Sequence, residues 1–124
     1  MDYKLLTVVF LGAGTGGVLR LFVQSLAAKY WPNYPAGTLV ANLVGCFAMG
    51  CLLAWLAREP NEYTRLGLGV GLLGGFTTFS AFSAESLQMI QRGQVAQFGG
   101  YCLLSVFGAI MAVWLGFVLF STRS

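Results

Sequence analysis

The residues best suited to chemistry lie in one short block, in which phenylalanines alternate with hydroxyl side chains. Four side chains of the block follow the i, i+3, i+4, i+7 spacing of a single helix face, namely Phe79, Phe82, Ser83 and Ser86. The edge of an aromatic ring is electropositive, and a hydroxyl group can donate a hydrogen bond. Such a face could strip and hold a small anion. The alternative is that the two rings only pack in a core.

Three polar side chains lie deep in otherwise apolar stretches: Arg20, Asn42 and Glu85. Each is costly inside a bilayer and is therefore a candidate for function. The alternative is an internal polar network that fixes the register of the helices, and Arg20 could also extend to an interface. The chain contains no histidine, the commonest general base, which makes an enzyme less expected.

Cysteines give no sign of a metal site. Cys46, Cys51 and Cys102 lie inside apolar stretches with no metal-binding or disulfide spacing. We interpret them as small core residues.

A helix break is predicted in the third apolar stretch, where Gly74 and Gly75 are followed by Thr77 and Thr78. Adjacent glycines weaken a helix by roughly 1 kcal/mol each, and threonine can cap a helix that restarts. A break would leave free carbonyls, which could bind a small cation near Gly74 and Thr77. An unbroken glycine-rich packing face is the alternative.

The elements that position these residues are membrane-spanning helices. Of the 124 residues, 57% are hydrophobic and 9% are charged, whereas soluble domains have about 25% charged residues. Crossing the hydrocarbon core takes about 20 apolar residues. We predict a single all-α membrane domain over residues 1–124, with helices at about 4–28, 37–57, 63–91 and 97–120. A cleaved signal peptide and a soluble four-helix bundle fit less well, and the scattered basic residues predict no nucleic-acid partner.

Charge asymmetry between the two sides of the membrane is weak. One side carries Lys4, Arg58, Arg65 and Arg123, and the other carries Lys29 and Arg92, with Arg20 nearby. A weak bias predicts insertion in both orientations.

Small residues on two helices suggest close helix packing. Gly12 and Gly16 share one face of the first helix, and Gly67, Gly71 and Gly75 share one face of the third. We predict that these faces need a partner, and hence an antiparallel, dual-topology homodimer.

Three blocks resemble the CrcB/Fluc family of fluoride channels. The first is the glycine-rich run 12–20 ending in Arg20, the second is GTLVANLVG at 37–45, and the third is GGFTTFSAFSAE at 74–85. The order and spacing of the blocks agree with the family along the whole chain, although the fourth helix matches loosely. Three positions depart from the family pattern: Ala81 stands where a hydroxyl residue is common, Ala13 where glycine is usual, and Leu73 where cysteine is frequent.

The resemblance implies a passive, fluoride-selective channel in the bacterial inner membrane, built as an antiparallel homodimer with two pores. It implies a fluoride path with the following candidate residues: Phe79, Phe82, Asn42, Ser80, Ser83, Thr38, Tyr101 and Ser105. It also implies a structural sodium ion on the carbonyls of Gly74 and Thr77, and a vestibule served by Arg20. No role follows for Glu85 beyond a vestibular or structural one.

Two other functions are compatible with parts of the sequence. A proton-coupled small multidrug transporter would need an acidic residue in the first helix, whereas this chain has Arg20 there and Glu85 in the third. A structural membrane subunit of a larger complex would need the glycine faces but not the alternation of phenylalanine and serine.

Overall fold

The computed structural model describes residues 1–121, and within that range all regular structure is helical. Three long helices are continuous: α1 (Tyr3–Tyr30), α2 (Ala36–Arg58) and α6 (Val95–Ser121). A fourth stretch, Glu62–Gln91, is divided into α3 (Glu62–Thr64), a π-helical segment (Arg65–Leu73), α4 (Gly74–Phe76) and α5 (Phe79–Gln91). All four stretches are long and apolar enough to cross a membrane. The prediction of an all-helical protein with four spans is confirmed, and Arg123 lies outside the described residues.

The helix ends follow local capping rules. Asp2 caps α1 by accepting a hydrogen bond from the backbone amide of Lys4 at 3.1 Å, and Asn61 accepts one from the amide of Thr64 at 3.0 Å. Gly93 follows α5 with a φ of 75°, a left-handed conformation that glycine adopts without a steric cost. These short-range signals mark the start of the first span and both ends of the third.

The π-helical segment was not predicted. Its sequence, RLGLGVGLL, contains Gly67, Gly69 and Gly71. The wider π turns are rare and are frequently found at functional sites. Here the segment leads directly into the residues of the helix break.

Glycines allow α1 and the third span to approach closely within one chain. A Cβ atom on Gly12 would lie 2.6 Å from the carbonyl oxygen of Gly67, one on Gly16 would overlap the carbonyl of Leu72, and one on Gly75 would overlap the backbone of Ala13. The two predicted glycine faces therefore pack against each other. This corrects our expectation that they need a second subunit as a partner.

Glycines also allow α2 and α6 to approach closely. A Cβ atom on Gly50 of α2 would overlap the carbonyl of Val113 in α6, and one on Gly116 would overlap the carbonyl of Phe47. Close backbone approach gives the van der Waals contact that holds helices together in lipid. As a result, α6 is fixed beside α2.

The buried core is small and lies near one end of the bundle. Phe82, Met89 and Tyr101 form a cluster within it, and Tyr101 is fully buried. Large side chains on the outside of α1 and α6 are exposed, among them Phe10, Phe22, Phe107 and Trp114. An apolar exterior of this kind matches lipid as the surrounding solvent.

Candidate functional site

The third span breaks at Thr77 and Thr78, which have extended backbones (φ −86°, ψ 156° and φ −151°, ψ 126°). The hydroxyl of Thr78 caps α5 by accepting a hydrogen bond from the amide of Ala81 at 3.1 Å. The hydroxyl of Thr77 instead donates to the carbonyl of Leu73 at 2.9 Å. The sequence therefore predicted the break and its cap, but Gly74 and Gly75 themselves remain helical.

Asn42 of α2 holds the break open. Its Oδ1 accepts a hydrogen bond from the amide of Thr78 at 2.7 Å, and its Nδ2 donates to the Thr78 carbonyl at 3.0 Å. In an unbroken helix the Thr78 amide would bond to the carbonyl of Gly74. Asn42 takes that amide, so the Gly74 carbonyl is released from the helical ladder.

Arg20 of α1 also reaches the break. Its Nε donates a hydrogen bond to the carbonyl of Gly75 at 3.2 Å, and the side chain is partly buried. A guanidinium on a backbone carbonyl at a helix end is a favourable pairing. The contact agrees with the internal polar network that was one of the alternatives for Arg20.

A cavity of about 260 Å³ opens beside the break; we call it the break cavity. Residues from α2, α5, α6 and the break line it, namely Asn42, Cys46, Thr77, Thr78, Phe79, Phe82, Ser105, Val106 and Ala109. The hydroxyl of Ser105 is buried and has no hydrogen-bond partner among residues 1–121. A buried hydroxyl without a partner is costly, so the cavity offers a donor to a small polar guest.

The predicted phenylalanine face is divided by the fold. The rings of Phe79 and Phe82 are 5.4 Å apart, but Phe82 is 9% exposed and Phe79 is 76% exposed. Ser86, one helical turn after Phe82, is buried, whereas Ser83, one helical turn after Phe79, is exposed. One edge of the face therefore belongs to the core of the chain, and the other lies on its surface.

The remaining hydroxyls of α5 are engaged locally. Ser83 donates to the carbonyl of Phe79 at 2.9 Å, and Ser80 lies 3.2 Å from the hydroxyl of Thr78. Both serines are exposed. Ala81 between them supplies no hydroxyl, and its amide serves the cap on α5.

Glu85 is the centre of a chain of hydrogen bonds that joins all four spans. The hydroxyl of Thr38 donates to its Oε2 at 2.8 Å, and the hydroxyl of Tyr101 donates to its Oε1 at 2.8 Å. Gln24 donates to the Thr38 oxygen at 3.0 Å. Two predicted path residues, Thr38 and Tyr101, thus donate their hydroxyl hydrogen bonds to the carboxyl group of Glu85.

Sequence reasoning missed Gln24. The signal was available, because a glutamine in an apolar span is itself a polar group that needs a partner.

Beside this network lies a second cavity, of about 230 Å³, next to the α1–α2 connection; we call it the connection cavity. Its wall includes Gln24, Tyr34, Glu85 and Arg92.

The sequence of this chain is similar to a known protein family over most of its length. The family model described as CrcB-like protein, Camphor Resistance (CrcB), matches residues 7–117. The chain is 45% identical over 118 residues to a protein of Sphingopyxis alaskensis named fluoride-specific ion channel FluC, covering 94% of each chain. It is 42% identical over 123 residues to a protein of the same name from Cronobacter sakazakii, covering 98% of this chain and 97% of the relative. The matched range contains the residues of the break and those that line both cavities.

Proposed function

This chain belongs to the CrcB-like protein family, and on that premise we propose that it is a subunit of a fluoride-selective ion channel. Fluoride crosses passively, without nucleotide or proton coupling. A membrane potential contributes about 2.3 kcal/mol per charge per 100 mV, so a negative interior drives the anion out. Export lowers the fluoride concentration in the cell and protects it from fluoride.

The observation that carries this function is the break cavity. Its wall combines the rings of Phe79 and Phe82 with the unpartnered hydroxyl of Ser105. A fluoride ion must lose water to enter an apolar span, and that loss is costly unless other groups replace the water. Electropositive ring edges and a hydroxyl donor replace it with contacts that suit a small anion.

The rest of the path follows the hydroxyls of α5 and α6. Ser80 and Ser83 extend it along the outside of α5, and Tyr101 and Thr38 extend it towards the connection cavity. Asn42 contributes by fixing the backbone of Thr78 at the cavity wall. Fluoride that reaches Thr38 or Tyr101 competes with Glu85 for their protons.

A second subunit closes the path. Phe79, Ser80 and Ser83 are exposed on the surface of the single chain, and a path lined by them is open on one side. Gly14 and Gly17 of α1 likewise have no atom within 4 Å of a Cβ position, which leaves a smooth surface for another helix. Together with the weak charge bias, these features support an antiparallel homodimer of dual topology.

A sodium ion is the cation that suits the break. The carbonyl of Gly74 is released by Asn42, and Thr77 has left helical geometry. Carbonyl oxygens at a helix end carry partial negative charge and favour a cation. When bound, the ion neutralises the repulsion between these carbonyls, and two facing subunits would supply two such pairs. Its role is structural, and it is not transported.

The protein is a multi-pass membrane protein, and its membrane is the bacterial inner membrane, in line with its bacterial relatives. There the channel has direct access to cytoplasmic fluoride.

Fluoride efflux from liposomes containing the purified protein tests the function. Liposomes loaded with potassium fluoride, with equal sodium on both sides, should release fluoride, as read by a fluoride electrode, once valinomycin dissipates the opposing potential. Chloride-loaded liposomes provide the matched control and should retain their anion. Absence of fluoride release would refute the channel, and uptake of cationic dyes without fluoride flux would indicate a multidrug transporter.

Topology is tested separately in cells. Single cysteines placed near each terminus, with Cys46, Cys51 and Cys102 replaced, should each be labelled from both sides of the membrane. One uniform orientation would contradict the antiparallel dimer.

A further inference from the structure

A row of four aromatic rings runs from the α1–α2 connection to the break in the third span. Neighbouring ring centroids are 5.8 Å apart for Tyr34 and Tyr101, 5.1 Å for Tyr101 and Phe82, and 5.4 Å for Phe82 and Phe79. Tyr101 is fully buried, whereas Tyr34 is partly exposed. Tyr34 is therefore the ring that meets solvent at the connection end of the row.

The connection cavity gives this end of the row an aqueous mouth. Its volume of about 230 Å³ is well above the roughly 15 Å³ that one water molecule needs. Gln24, Gln88 and Arg92 line it together with Tyr34. Arg92 forms no salt bridge within residues 1–121. Glu85 lines the same cavity, but both of its oxygens accept hydrogen bonds from Thr38 and Tyr101. Arg92 is therefore the group that attracts an anion to the mouth.

Tyr34 is suited to contact an anion because it is both uncharged and well placed. Burial raises the pKa of the Tyr34 phenol above its ordinary value, and the side chain stays neutral at physiological pH. The rings of Tyr34 and Tyr101 meet at 78°, the edge-to-face arrangement in which an electropositive ring edge is presented to a neighbour. A neutral ring brings no negative charge to the mouth, and its electropositive edge is the part that can contact fluoride.

We propose that Tyr34 is the entry ring of the fluoride path, the first aromatic contact between the aqueous connection cavity and the buried rings of Tyr101 and Phe82. This inference rests on the proposed fluoride conduction. It adds an aromatic residue of the α1–α2 connection to the path, at a place where the resemblance to the family assigned no residue.

Substitutions of Tyr34 test the proposal in the fluoride-efflux experiment. Removing an aromatic contact worth about 0.5–1.5 kcal/mol predicts roughly a two- to tenfold loss of initial efflux rate in Tyr34→Ala. Tyr34→Leu, which keeps apolar volume without a ring, should lose a similar amount. Tyr34→Phe keeps the ring edge and should stay within about twofold of wild type.

Tyr30→Ala is the matched control, because Tyr30 is an exposed tyrosine near the same connection whose ring contacts Trp31, at 6.0 Å, rather than the row. It should conduct like wild type. Wild-type efflux in both Tyr34→Ala and Tyr34→Leu would overturn the entry ring and leave the channel intact. An equal loss in Tyr34→Phe would also overturn the assignment to the ring. A wild-type protein without fluoride efflux would refute the proposed function itself.

Thiol labelling gives a readout that does not require the alanine variant to fold. Tyr34→Cys and Tyr30→Cys are reacted in detergent with a bulky charged thiol reagent before reconstitution, so every mouth is accessible. Labelled Tyr34→Cys should lose most of its efflux relative to its unlabelled form, and labelled Tyr30→Cys should not. Wild type treated in the same way reports on Cys46, Cys51 and Cys102. Full efflux from quantitatively labelled Tyr34→Cys would overturn the proposal.

Discussion

Asn42 and Thr78 form a paired contact in which one side-chain amide satisfies both the N–H and the C=O of one extended residue, at 2.7 and 3.0 Å. The pair joins α2 to the break in the third span. Thr78 cannot return to helical geometry without losing both bonds. The break is therefore maintained by a residue 36 positions away in the chain.

We expect Asn42→Ala to destabilise the fold by about 2–4 kcal/mol, because two partly buried backbone groups of Thr78 lose their partner, each at a cost in the lower part of the roughly 1–3 kcal/mol of a buried group. Denaturant unfolding in detergent measures the change. Asn33→Ala, at an exposed position of the α1–α2 connection, is the control and should change stability little. An equal effect of both substitutions would show that the pair does not hold the break.

Phe79→Ile and Phe82→Ile should each abolish or sharply reduce fluoride efflux, because isoleucine keeps apolar bulk but has no polarised ring edge. Their effects on stability should differ. Phe82 contacts the rings of both Phe79 and Tyr101, so its replacement should cost about 1 kcal/mol more than that of exposed Phe79. Efflux assays and unfolding curves on the same preparations separate the two effects. Full fluoride efflux in both variants would show that the two rings only pack in the structure and do not contact the ion.

The hydrogen bonds to Glu85 should be energetically coupled. Glu85→Ala leaves the hydroxyls of Thr38 and Tyr101 without an acceptor, and Thr38→Val removes one donor. A double-mutant cycle between Thr38→Val and Glu85→Ala should give a coupling energy of about 1–2 kcal/mol in unfolding stability. Additive effects of the two substitutions would indicate that the Thr38 hydroxyl finds a hydrogen-bond acceptor other than Glu85.

Glycines on opposite faces of α1 should behave differently. In Gly16→Ala the new methyl group meets the carbonyl of Leu72, and overpacking of this kind costs about 1–3 kcal/mol. Gly14→Ala meets nothing within the chain, so the subunit fold should be unaffected, and any loss should appear as weaker subunit association in size-exclusion chromatography. Destabilisation of the isolated subunit by Gly14→Ala would contradict this division.

Sodium should be required for fluoride efflux, independently of any sodium gradient. The physical reason is that the released carbonyls repel one another unless a cation lies between them. Liposomes prepared with sodium replaced throughout by N-methylglucamine should lose efflux, and restoring equal sodium on both sides should recover it. Equal flux with and without sodium would refute the ion, and flux that follows the sodium gradient would indicate coupled transport.

The amino-acid sequence by itself determined the four membrane spans and the break. Both depend on local properties: the length of apolar runs relative to the bilayer thickness, and the capping chemistry of Thr78 next to weakened helix at Gly74 and Gly75. The approximate helix ends followed for the same reason, since prolines, glycines and side-chain caps act over a few residues.

Only the tertiary structure decided which groups meet. The glycines of α1 could pack against any smooth helix, and the fold pairs them with the third span of the same chain. Arg20 and Glu85 each had several partners available in the sequence, and the fold assigns them the Gly75 carbonyl and the hydroxyls of Thr38 and Tyr101. Hydropathy and capping patterns in the sequence show which polar groups are costly to bury. Which partner each of these groups finds depends on how helices distant in the chain are placed. That placement comes from backbone contacts along the whole bundle, which no local pattern of residues specifies.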